Sequence, residues 1–145
     1  MTHLHRVGLI GAAMFCYLAV NAAAFSEEMK FTAELKGSEE IPPVESTASG
    51  TTTATYDTET KKLSWTLEYT GLSSDATAAH FHGPADPGAN AGPVVPIADF
   101  ASGSEGSADL TDQQAADLQA GKWYVNVHST NHPDGEIRGQ VKKAE

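Results

Sequence analysis

The residues of this chain with the clearest capacity for chemistry are four histidines in two short segments. His80 and His82 are two residues apart in the segment Ala-His-Phe-His-Gly, and His128 and His132 are four residues apart near the C-terminus. Neutral imidazole suits zinc and copper, and three or four imidazoles can form a site for either ion. Neither segment offers a cysteine or an obvious carboxylate ligand, which favours copper(II) or zinc over calcium or magnesium. The sequence therefore predicts a metal site of His80, His82, His128 and His132, with copper favoured and zinc as the alternative.

The alternation of apolar and polar residues predicts how these histidines are positioned. Residues 123–128 alternate as a strand, and residues 76–82 form a second, short strand. Because residues i and i+2 of a strand share a face, His80 and His82 project side by side, and His128 lies on the outer face of its own strand. If the two strands are neighbours, these imidazoles converge outside the sheet, and the histidine of the following turn can join them. The alternative is that they are polar surface residues that hydrogen-bond to loops.

A strand after the turn at residues 132–135 brings an arginine towards the same histidines. We expect this strand over residues 136–141. Its buried side carries Ile137 and Val141. Its outer side carries Glu136, Arg138 and Gln140. Arg138 could attract an anion beside a metal ion. It could equally form an ion pair with Glu136 or Asp134.

The rest of the chain indicates an all-β domain with one short helix. Further strands are predicted over residues 31–36, 51–56, 63–70, 94–97 and 106–110, after a frayed start at residues 25–30. The segment Thr-Asp-Gln-Gln at 111–114 is typical of a capping box, and we expect a helix near Thr111–Ala120. Seven or eight short strands between Gly and Pro turns predict an antiparallel, Greek-key-like β-sandwich or barrel, with Trp65 and Trp123 buried.

Residues 1–24 are predicted to be a signal peptide. Arg6 precedes an apolar run over residues 7–20 that is too short to span a membrane, and three alanines at 22–24 supply a cleavage site. Residues 25–145 would then form one domain in the periplasm or outside the cell, without membrane insertion after cleavage. The single cysteine lies in the apolar run, so the exported domain has no disulfide. A net charge of −10 argues against nucleic acid as a partner, which leaves a metal ion and another exported protein.

Two family resemblances rest on these motifs. Ala-His-Phe-His-Gly-Pro, the capped helix and Tyr-Val-Asn-Val-His-Ser-x-x-His-Pro-x-Gly-Glu-Ile-Arg-Gly-Gln together resemble the CHRD domain, which is named after chordin. The resemblance covers roughly residues 30–142, and a single copy after a signal peptide implies the stand-alone, exported bacterial type. A weaker likeness is to copper–zinc superoxide dismutase, a Greek-key β-barrel. In this comparison, the copper ligands of the dismutase correspond in type and order to His80, His82 and His128, and its anion-guiding arginine corresponds to Arg138.

The second likeness implies a copper site more than it implies dismutation, because the histidine-rich zinc loop and the structural disulfide are absent. We therefore predict an exported metal-binding protein, with no catalytic residue unless Arg138 serves a dismutase-like reaction. The alternatives are such a copper redox enzyme and a metal-free extracellular interaction or adhesion module. An open coordination position beside Arg138 favours the enzyme, and histidines too far apart to share one ion favour the module.

Overall fold

A computed structural model describes residues 26–145. The predicted signal peptide, with its cleavage site and cysteine, lies outside the described residues. Within residues 26–145, no helix has the length and apolar character that crossing a membrane requires.

The described chain forms nine β-strands and one α-helix. The strands are β1 (Glu28–Lys36), β2 (Ser49–Asp57), β3 (Lys62–Thr70), β4 (Ala76–His82), β5 (Pro93–Pro96), β6 (Ser104–Asp109), β7 (Tyr124–Ser129), β8 (Ile137–Gln140) and β9 (Lys142–Lys143). The helix α1 (Asp112–Gln119) lies between β6 and β7, and a short 3-10 turn at Gly37–Glu39 follows β1.

The strands form one antiparallel, nearly closed, barrel-like sheet. Eight strands follow the order β5-β4-β7-β8-β1-β2-β3-β6, and β9 pairs with β1. The long hairpin of β1 and β2 is in register from Glu28–Asp57 to Lys36–Ser49. For the functional site, the important feature is that β7 lies between β4 and β8. The prediction of an all-β antiparallel fold with one short helix is confirmed.

The sheet encloses a core built from the apolar residue of each alternating pair. In β1 these residues are Phe31, Ala33 and Leu35, all nearly inaccessible to solvent. Trp65 and Trp123 are 6% and 0% exposed, as predicted, and both pack against Phe81 of β4. Because Phe81 points inwards, the residues on either side of it in β4 must point outwards.

The helix α1 ends and begins as the sequence predicts. The Thr111 hydroxyl accepts from the Gln114 backbone N–H, and the Gln114 side chain accepts from the Thr111 backbone N–H, so the capping box is complete. Ala115 and Leu118 are its buried residues, and Gly121 follows with a φ of +73°, which favours glycine.

Two details of the strand prediction were wrong. Residues 28–30 are not frayed but open β1, because Glu28, Met29 and Lys30 pair with the end of β2. The chain has nine strands rather than seven or eight, since the C-terminal Lys142–Lys143 also pairs with β1. Both differences come from backbone pairing with a partner strand. The alternation of apolar and polar residues within one segment does not indicate such pairing.

Candidate metal centre

The three strand histidines meet on the outer face of two adjacent strands. β4 and β7 pair with Ala78 opposite His128 and with His80 opposite Asn126. His80 and His82 therefore share a face with His128, and His80 is its diagonal neighbour. All three side chains are only partly exposed. The predicted convergence of three imidazoles is confirmed.

The spacing of the three rings fits one metal ion. One nitrogen from each ring can be chosen so that all three lie within 4.8 Å of one another. The Nδ1 atom of His80 is 3.3 Å from the Nε2 atom of His128. Two nitrogens at about 2.0–2.1 Å from a tetrahedral ion are about 3.4 Å apart, so this pair already has ligand spacing.

Two backbone carbonyls fix which ring nitrogen of His82 and of His128 carries the hydrogen. The Nδ1 of His82 lies 3.0 Å from the Ala91 carbonyl oxygen, and the Nδ1 of His128 lies 2.8 Å from that of Pro133. A carbonyl oxygen only accepts, so each Nδ1 carries the hydrogen and each Nε2 keeps its lone pair. Second hydrogen bonds of this kind commonly hold the imidazole ligands of metal ions in place.

The lone pair on the Nε2 of His82 accepts no hydrogen bond from the described residues. The Nε2 of His82 is buried and lacks a hydrogen-bond partner within the described chain. By contrast, the His128 Nε2 can accept from the Nδ1 of His80. A buried acceptor without a partner costs free energy, and a metal ion shared with His80 and His128 would satisfy it.

The site also resists protonation. Burial lowers the pKa of His80 below its usual 6.5, and the neighbouring His128 lowers it further. Burial is also the largest cause of the lowered pKa of His82, although its bond to the Ala91 carbonyl acts in the opposite direction. Neutral imidazole is the form that binds a metal, so both shifts keep the rings ready for an ion near neutral pH.

The comparison with known protein families matches residues 31–141 to the CHRD domain. The chain belongs to the CHRD domain family. No curated protein and no solved structure matched the chain. The likeness to copper–zinc superoxide dismutase therefore stays a prediction, and the metal-site geometry of this CHRD domain stands on its own residues.

The fourth predicted ligand, His132, is not part of the histidine group. It lies in the turn between β7 and β8, where its backbone carbonyl accepts from the N–H groups of Ser129 and Gly135. Its side chain lines a separate depression beside Asp134 and Glu40. Its role as a ligand stays a prediction.

Arg138 lies on the outer side of β8, as the sequence predicts, but it is buried there rather than exposed to solvent. It is 2% exposed, and its guanidinium donates to the Asn90 side-chain oxygen and the Ala89 carbonyl at 2.7 and 2.6 Å. Its Cζ atom lies 3.6 Å from the centre of the Tyr124 ring. The cause is the segment 83–92, which crosses the outer face of the sheet and covers Arg138.

Tyr124 joins this covering segment to the metal centre. Its ring stacks on His82 with centroids 4.8 Å apart and planes 9° apart. Its hydroxyl donates to the Ala91 carbonyl and accepts from the Ala91 N–H. The Ala91 carbonyl that orients His82 is therefore held by Tyr124, and Arg138 holds the two residues before it. The alternation of residues 123–128 indicates that Tyr124 is a strand residue and carries no signal for this role.

Glu136 was predicted on the outer side of the same strand, and it is fully buried. Its carboxylate accepts from the hydroxyls of Ser46, Ser73 and Ser129 and from the Ser73 backbone N–H. Burial raises its pKa, but these hydrogen bonds outweigh burial and hold the pKa below its usual 4.5. Glu136 thus closes the turn that carries Pro133, the carbonyl partner of His128.

A second buried carboxyl, Glu40, lies beside the centre. Its Oε1 accepts from the Asn126 side-chain amide at 2.6 Å, and Glu40, Asn126 and His82 line the same cleft of about 370 Å³. Burial raises the pKa of Glu40 to about 7, although the nearby Arg138 lowers it. Sequence reasoning missed Glu40 because it sits in a loop before two prolines, where no periodicity indicates burial.

Proposed function

We propose that this CHRD domain is an exported metal-binding protein that holds one transition-metal ion on His80, His82 and His128. The observation that carries the proposal is the buried Nε2 of His82, which has a lone pair but no donor among residues 26–145, in a ring that offers a nitrogen within 4.8 Å of nitrogens of two further imidazoles. Copper is the favoured ion and zinc the alternative, because the ligands are imidazole nitrogens without a thiolate or carboxylate. The role is binding, as in metal buffering or delivery.

Export is part of the proposal and rests on the N-terminal sequence. Arg6, the apolar run over residues 7–20 and the small residues at 22–24 have the order of a secretory signal peptide. The protein would act in the periplasm or outside the cell. Mass spectrometry of the protein recovered from its producing cells tests this directly, since a mature N-terminus at residue 25 is expected and an intact Met1 in the cytoplasm would contradict it.

The geometry favours binding over dismutation. Dismutation needs a metal that cycles between oxidation states and an open position for a small anion, and Arg138 is the residue predicted to guide that anion. Arg138 is covered by the segment 83–92 and its guanidinium is bound to Asn90, Ala89 and the Tyr124 ring. We therefore expect little superoxide turnover by the copper-loaded protein, and turnover near the diffusional limit would favour the enzyme instead.

The metal site is tested by thermal unfolding with and without copper or zinc at pH 7.5. An ion that binds only the folded state raises the melting temperature by mass action, by the equivalent of about 2.7 kcal/mol at a hundredfold excess over Kd. His82→Ala and His128→Ala should abolish this rise. His132→Ala is the matched control, a histidine of the same region outside the group, and it should keep most of the rise.

The same experiment separates the alternatives. A rise of equal size in wild type and His82→Ala would show that the histidines are not a metal site, and the interaction-module hypothesis would replace it. If His132→Ala abolished the metal-induced rise in melting temperature as fully as His82→Ala, then His132 would also be a ligand. The site of three histidines would then be wrong. Metal analysis of untagged protein from its native compartment then identifies the ion.

A further inference from the structure

The histidine group would leave one position of a tetrahedral ion free. It has three members, all partly exposed, and no carboxylate of the described residues belongs to it. His132 lines a separate depression, and Glu40 and Asp134 line the cleft beside His82 without being members of the group. Structural zinc sites fill all four positions with protein ligands, whereas catalytic zinc sites use three and keep the fourth for water. The group therefore has the ligand count of a catalytic zinc site.

The three ligands would leave the full charge of a zinc ion in place. Imidazole is a neutral donor, and the group contains neither a thiolate nor a carboxylate that would reduce the charge. The carboxylate of Glu40 and the guanidinium of Arg138 interact with each other, so their effects on a nearby ion oppose each other. Three histidines can hold zinc so that the pKa of its bound water falls to about 7, from about 9 for aqueous zinc. Much of this water is then hydroxide at neutral pH.

A cleft of about 370 Å³ adjoins the group, and His82 belongs to both. Its lining contains no lysine or arginine but does contain two carboxyl groups. The side-chain amides of Asn90 and Asn126 already donate to the Ile41 carbonyl and to the Glu40 carboxyl. An anionic substrate would therefore find no positive partner in the lining besides the ion. An uncharged substrate does not need one.

We propose that the centre, when loaded with zinc, is a hydrolytic site for small uncharged esters. The inference rests on the proposed metal-binding function and goes beyond it by assigning an activity to the zinc form. Zinc-bound hydroxide adds to the carbonyl carbon of the ester, and the carbon–oxygen bond to the leaving alkoxide breaks. The product acid gives its proton to the alkoxide or the buffer and leaves as a carboxylate. A new water molecule then binds zinc and loses a proton to solvent.

The expected rate follows from the ionised fraction of the zinc-bound water. At pH 7.5, a pKa of about 7 leaves roughly three quarters of this water as hydroxide, against about 3% when the pKa is about 9, as for aqueous zinc. The protein should therefore carry roughly twenty-five times more zinc hydroxide than the same concentration of free zinc. Because a less basic hydroxide is also less reactive, we expect a rate per zinc at least about fivefold above that of free zinc.

The test is hydrolysis of p-nitrophenyl acetate at pH 7.5 by untagged protein with one equivalent of zinc, followed by the absorbance of nitrophenolate. Wild type should exceed both the metal-free protein and free zinc, and a chelator should abolish the difference without any variant. His82→Ala should fall to the rate of free zinc. p-Nitrophenyl phosphate has the same leaving group on an anion, and its hydrolysis should show no such enhancement. A larger enhancement for the phosphate than for the acetate would overturn the substrate class.

His132→Ala tests whether the fourth position is open. The variant should hydrolyse p-nitrophenyl acetate at the wild-type rate, because His132 lies outside the group. A clear increase in the rate on removing this histidine would show that it occupies the position that we assign to water, and would overturn the inference for wild type.

Thermal unfolding of the same samples separates the inference from the function beneath it. If neither copper nor zinc raises the melting temperature of wild type, the proposed function and the inference fail together. If zinc raises it and His82→Ala abolishes the rise, but hydrolysis stays at the rate of free zinc, the metal site stands and the inference alone fails. A rise with copper and none with zinc has the same consequence.

Discussion

Glu40→Gln should stabilise this protein in mild alkali and have no such effect in acid. Burial raises the pKa of Glu40 from the ordinary 4.5 to about 7. A carboxyl with a raised folded-state pKa favours folding while it is protonated in both states, below pH 4.5. That contribution is lost as the pH rises through 7, because the folded protein must then hold a buried charge that the unfolded chain exposes to water.

The magnitude follows from the shift. Each unit of pKa is worth about 1.4 kcal/mol, so wild type should lose up to about 3 kcal/mol of stability between pH 4.5 and pH 8 through this group. Glutamine has the same shape, and its carbonyl can still accept from the Asn126 amide. Glu40→Gln should therefore be about 2–3 kcal/mol more stable than wild type at pH 8 and about equal to it at pH 5.

The assay is urea unfolding of both proteins at pH 5 and pH 8, in metal-free buffer. Comparing variant with wild type at each pH removes the contributions of the histidines, which both proteins share. Glu39→Gln is the control, because Glu39 is the exposed neighbour in the same loop and should show no pH-dependent difference. The same stability difference at both values of pH, or a variant less stable than wild type at pH 8, would refute the reasoning.

Three further predictions concern the surroundings of the histidines. Glu136→Gln should cost about 2–3 kcal/mol in urea unfolding, because hydrogen bonds to a charged acceptor are lost in a buried site, and a loss below about 1 kcal/mol would contradict this. Gly135→Ala should destabilise the protein by at least about 2 kcal/mol in the same assay, because its φ is +129° and a Cβ there would collide with the Asn126 amide; unchanged stability would contradict the contact. Metal affinity, titrated from pH 7.5 to pH 5, should begin to fall only below about pH 6.5, because the pKa values of His80 and His82 are lowered; a fall complete by pH 6.5 would contradict those shifts.

The part of the site that alternation governs was predictable from the sequence. Ala79 and Phe81 are apolar and lie in the core, so His80 and His82 must share the outer face. The same reasoning applies to His128 next to the buried Val127. The sequence could not show that β4 and β7 are neighbours, since residues 83–123 lie between them, and only the sheet order supplies that fact.

The part that depends on loops was not predictable. Alternation places Glu136 and Arg138 on the outer side of a strand over residues 136–141. Arg138 lies on that side of β8, but an outer side need not be exposed, and Glu136 precedes β8. Arg138 is covered by the segment 83–92, and Glu136 is enclosed by serines from two other loops and the end of β7. The path of a loop does not follow from a periodic pattern of apolar and polar residues. The alternation in a strand therefore does not indicate which of its outer residues a loop will cover.

Those same loops orient the histidines that we propose hold a metal ion. Strands bring the three rings together, but a ring on a strand can still rotate and can carry its hydrogen on either nitrogen. The carbonyls of Ala91 and Pro133 remove that freedom for His82 and His128, and each carbonyl comes from a segment that a buried charged residue holds. Arg138 and Glu136 therefore have a positioning role near the ligands that does not require either to touch the ion. Because these contacts orient the rings without an ion, the proposed metal binding would have less entropy to overcome.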